Sequence, residues 1–116
     1  MSTILTGNNF FAEQNVVASD HYVWRCKDLK TQKEFLIHVM DRKKLYITFF
    51  RSKNKSTNKK KVKADVVIDA LRAISDLMKE NGEIPEIKIE EENYSLKREC
   101  QKAGFVRISK TLYKFF

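Results

Sequence analysis

"EIPEIKIEEENYSLKRECQKAGFVRISKTLYKFF", residues 83–116, holds a strand, a helix and a closing strand or tight hairpin in a short span. Ile87 and Ile89 alternate with Lys88 and Glu90, the period of an extended chain. Asn93 then offers a short side-chain acceptor that can cap a helix. Leu96, Cys100 and Ala103 recur on one face of that helix, and Gly104 supplies a left-handed stop. Upstream, Val67, Leu71, Ile74 and Met78 mark an amphipathic helix from about 64 to 79. Asp65 reads as its N-cap, and Asn81-Gly82 as its end. Strand, helix, strand in one sheet implies a parallel crossover.

The front half has a different character. "YVWRC" (22–26), "EFLIHVM" (34–40) and "KLYITFF" (44–50) read as strands joined by short polar links, which suits an antiparallel meander. The last two are apolar on both faces, so the sequence predicts helices on both sides of the sheet. The fold class expected is α+β, a mixed and mainly antiparallel sheet with two helices. One domain over 1–116 is expected, with 1–14 a loose N-terminal segment and 51–63 a basic loop.

With 42% hydrophobic and 33% charged residues, the composition is that of a folded domain rather than a disordered chain. No apolar run approaches the roughly 20 residues of a membrane-spanning helix, and the opening "MSTILTGNNFFAEQ" predicts no export signal. Cys26 and Cys100, His21 and His38 are scattered, which points away from a disulfide framework or zinc site. A reducing, cytoplasmic setting is the expectation. Lysine outweighs arginine, as in AT-rich genomes such as those of low-GC bacteria or phages.

The charge has one address. Of a net +8, the run "RSKNKSTNKKKVK" (51–63) contributes +7 through Arg51, Lys53, Lys55, Lys59, Lys60, Lys61 and Lys63. Such a field attracts polyanions by counterion release, and Ser52, Asn54, Ser56, Thr57 and Asn58 add neutral donors for phosphate oxygens. No reading helix, zinc finger or aromatic RNA platform accompanies it, so sequence preference is not indicated.

The segment "EIKIEEENYSLKRECQKAGFVRISKTLY" (86–113) resembles the C-terminal half of the GNAT acetyltransferases. There a strand leads to an asparagine, a helix, a lysine-x-glycine-phenylalanine ending and a final strand. Asn93, Lys102, Gly104 and Phe105 stand at that spacing, and the helix from 64 sits where the family's cofactor-binding helix would be. The resemblance is strongest over 84–113 and implies a GNAT-like fold shortened at its N-terminus. It also implies acetyl-coenzyme A as a cofactor, held in the family by a glycine-rich turn before that helix. This chain has no glycine between Gly7 and Gly82; Lys60, Lys63 and Asp65 take the motif's positions. Glycine matters there because phosphate must approach bare backbone N–H groups. Cys100 replaces the family's frequent general-acid tyrosine.

The leading expectation is a small non-catalytic binding module whose basic loop contacts nucleic acid or a nucleic-acid-handling protein. Lys53, Lys55, Lys59, Lys60, Lys61 and Lys63 are its phosphate contacts. The first alternative is a minimal acetyl-coenzyme A-dependent N-acetyltransferase, with Lys60, Lys61 and Lys63 on the pyrophosphate and Cys100 as acid. The second is a phage-type protein that binds and inhibits a host protein. Tyr46, Phe49, Phe50, Tyr113, Phe115 and Phe116 read as core and sheet cover, and His38 as a packed or edge histidine. The five glutamates Glu83, Glu86, Glu90, Glu91 and Glu92 read as strand-edge solubility.

Overall fold

The computed structural model describes residues 3–41, 43–49, 62–91 and 93–116. Among the described residues eight strands form one sheet: β1 (Ile4–Thr6), β2 (Phe10–Ala18), β3 (His21–Asp28), β4 (Glu34–Met40), β5 (Lys44–Phe49), β6 (Glu86–Lys88), β7 (Val106–Arg107) and β8 (Leu112–Lys114). Two helices, α1 (Ala64–Glu80) and α2 (Tyr94–Lys102), complete an α+β fold. The sheet order is β1-β2-β3-β4-β5-β6-β8-β7, and every neighbouring pair is antiparallel except β5–β6. The crossover through α1 makes that one pair parallel, as strand–helix–strand connections require.

One face of the meander carries the core. Cys26 stands opposite Phe35, and Trp24 opposite Ile37; all four are fully or almost fully buried. Leu45 extends the row opposite Val39. Val67, Leu71 and Ile74 of α1, and Leu96 and Cys100 of α2, complete the same cluster. Each large apolar side chain withdrawn from water contributes about 1.5–3 kcal/mol. The alternate positions Val23, Arg25, Leu36, His38 and Tyr46 are half-buried or exposed. Helices on both sides were expected; instead both pack on one face. The two-sided apolar pattern of β4 misleads because Leu36 and Met40 need only partial cover from cross-strand neighbours.

Residues 1–14, expected to be loose, contain β1 and half of β2. Phe10 and Ala12 enter the core, and the Asn9 side-chain amide donates to Asp69 of α1 at 2.7 Å. The N-terminal hairpin is thereby held against the crossover helix.

Both helices end in the same way. After α1, Gly82 takes φ +81°, its N–H donates to the Lys79 carbonyl and that of Glu83 to Met78. After α2, Gly104 takes φ +99°, its N–H donates to Gln101 and that of Phe105 to Cys100. These paired bonds satisfy carbonyls that the last turn leaves without partners.

Candidate nucleic-acid interface

The basic run leaves β5 and ends at the first turn of α1. Lys53, Lys55, Lys59, Lys60 and Lys61 lie outside the described residues, as does Phe50. Lys63 is placed: it is the N-cap of α1, in extended backbone, and no side chain caps the helix there. Its carbonyl accepts from the N–H groups of Val66 and Val67 at 3.1 and 3.2 Å. Asp65, expected as the cap, sits two positions inside it, as the second residue of the helix. Its carboxylate accepts from the Val66 N–H at 2.9 Å and lies in the first turn, where the helix dipole favours it.

The start of α1 and the first turns of α2 enclose an open cleft of about 500 Å³ lined by Lys63, Ala64, Asp65, Ser95, Arg98 and Glu99. Arg98 is the residue that sequence reading did not single out. It lies on the polar side of α2, and only the packing of the two helices brings it to Lys63. Glu99 is offset by Lys102 at 3.6 Å, one turn on. The Asp65 carboxylate is engaged by the Val66 backbone N–H. Lys63 and Arg98 thus line the cleft together with Asp65 and Glu99, whose carboxylates are partly engaged. Asn93 caps α2 as expected, accepting from the Leu96 N–H at 3.4 Å.

Cys100 is fully buried on the inner face of α2, and burial pushes its thiol up to about 12. A general acid has to reach its substrate at hydrogen-bond distance, whereas this sulfur meets core side chains. Cys26 is the same kind of residue, also free, buried and raised to about 12. Of the five glutamates, Glu92 lies outside the described residues; Glu86 pairs with Lys114 at 3.5 Å and Glu91 with Lys110 at 4.0 Å. Tyr113 and Phe115 are core residues, while Phe116 is exposed.

The histidines are not independent. His21 Nε2 and His38 Nδ1 stand 3.4 Å apart on the uncovered face, although seventeen positions separate them in the chain. Burial first, and the His21 imidazole second, hold the His38 pKa below its ordinary value. Among the described residues, no helix is long and apolar enough to cross a membrane. Comparison with protein-family profiles, curated proteins and solved structures finds no match.

Proposed function

We propose that this protein is a non-catalytic, GNAT-like binding module that grips nucleic-acid phosphates through the run 51–63. The observation that carries the reading is the concentration of +7 of the net +8 in thirteen residues that lead directly into the first turn of α1. Lysine side chains there neutralise phosphates and release counterions, and no base-reading element is required. Arg98 lines the cleft next to Lys63, the last residue of the run, and offers a further phosphate contact beside Asp65 and Glu99. The burial of Cys100 weighs against that thiol as a general acid, which favours the binding reading over the acetyltransferase alternative.

The test is the salt dependence of binding to a short duplex and to a single strand, with a variant carrying Lys53, Lys55, Lys59 and Lys60 all changed to Gln. Affinity of the wild type should fall linearly with salt on a log–log scale. Losing four phosphate contacts should reduce the slope by roughly 3–4. Equal affinity and slope in the variant would reject the reading. A parallel titration with coenzyme A separates the alternative: uptake that vanishes in the same variant makes the run a cofactor clamp instead.

A further inference from the structure

We propose that His21 and His38 form a two-imidazole chelating site for a tetrahedral transition-metal ion of the zinc class. In the β3–β4 ladder, His21 is paired with Met40 and His38 with Val23, so the two histidines are diagonal neighbours on one face. Strand alternation puts that face opposite the core layer, where His21 and His38 are both half-buried rather than sealed. The rings are tilted by 35° with centroids 5.7 Å apart, and one nitrogen of each turns toward the other.

The separation of those nitrogens is what suggests a metal. Two ligands about 2.0–2.1 Å from a tetrahedral ion stand about 3.3–3.4 Å from each other. His21 Nε2 and His38 Nδ1 are 3.4 Å apart, so an ion seated between them asks for ring rotation but no backbone movement. Adjacent strands of a packed sheet hold the two Cα positions, which is a stiffer mount than a loop. In the metal-free pair one inner nitrogen donates to the other, and seating the ion moves that proton to the outer nitrogen of its ring, so that both rings present a lone pair inward. Binding at a pH above the imidazole range is then proton-neutral. Among the described residues, no third His, Cys, Asp or Glu joins the pair.

His21 and His38 are the only histidines of the chain, which makes the test clean. Tag-free protein at pH 8 is titrated with zinc chloride by calorimetry and by NMR of the imidazole ring protons. One equivalent should bind saturably, with both histidines' resonances moving in step, and a chelator should reverse the change. His21→Asn and His38→Asn should each weaken uptake at least about tenfold. Zinc should also raise the melting temperature of the wild type and not of either variant. No saturable uptake by the wild type, or resonances of one histidine moving alone, overturns the proposal. So does unchanged uptake in either folded variant.

Discussion

Leu45 of β5 and Ile87 of β6, both fully buried, face each other in the last parallel rung that joins these strands among the described residues. The rung before it pairs Lys44 with Glu86. Through these two rungs the five-stranded meander meets the three C-terminal strands as one sheet. Ile87 also pairs with Tyr113 on its other side, so it has buried neighbours along both edges. Ile87→Ala should lower unfolding stability by about 2–5 kcal/mol, read from the shift in the urea midpoint. Adding Leu45→Ala should cost less than the sum of the single effects, because the second truncation opens onto the same cavity. Strict additivity would show that the two halves of the sheet are not coupled at this rung.

Ser75 is a stabilising substitution waiting to be made. It is fully buried on α1, and its Oγ has no hydrogen-bond partner among the described residues. A buried hydroxyl without a partner carries a desolvation cost that alanine does not, and alanine is the better helix former. Ser75→Ala should therefore raise stability by up to about 1 kcal/mol, with the melting temperature moving up by a few degrees. A loss of stability instead would mean that the hydroxyl has a partner, such as a bound water.

The two thiols set an alkaline limit. Cys26 and Cys100 are each pushed from the ordinary 9.0 to about 12 by burial, so the folded state holds protons that the unfolded state has released. The unfolded chain thus binds fewer protons between pH 9 and 12, and stability falls as pH rises through that window. At pH 10.5 each thiol should lower stability by about 2 kcal/mol relative to pH 8. Denaturant melts across that range should give a steep decline for the wild type and a shallower one for Cys26→Ala. A thiol reagent at pH 8 should leave the native protein unmodified and label both cysteines once urea unfolds it. Rapid labelling of the folded protein would contradict the burial of both sulfurs.

The helices and the central strands were legible in the sequence for reasons that are local. The spacing of Val67, Leu71, Ile74 and Met78, the Asn93 cap and the glycines at 82 and 104 all act within a turn or two of themselves. β2 was not legible, because "FFAEQNVVA" mixes weak strand formers and breaks alternation near a register shift between Val16 and Ala18. Its pairing is decided by Phe10 and Ala12 entering a core built from distant segments. The helices' choice of one face was hidden because β4 is apolar on both sides. The histidine pair and the approach of Arg98 to Lys63 depend on strand register and on helix packing, which spacing alone does not encode. A hairpin register drawn between 21–28 and 34–40 could have brought the histidines together.

Gly104 is where one sequence signal and one structural element can be tested against each other. It ends α2 at φ +99°, a backbone conformation that side chains rarely tolerate, and nothing lies within 4 Å of where a Cβ would project. The cost of Gly104→Ala is therefore conformational and not steric, about 1–2 kcal/mol. Asparagine visits the left-handed region more readily, so Gly104→Asn should recover part of that loss. The position matters beyond the helix end, because the next residue, Phe105, is buried, packs its ring 4.6 Å from that of Phe115, and leads into β7. If the turn is what seats Phe105, the alanine variant should also show faster amide exchange at Phe105, whose N–H bonds to the Cys100 carbonyl. Equal stability of the alanine, asparagine and wild-type proteins would mean that the left-handed turn contributes nothing to holding α2 against the sheet.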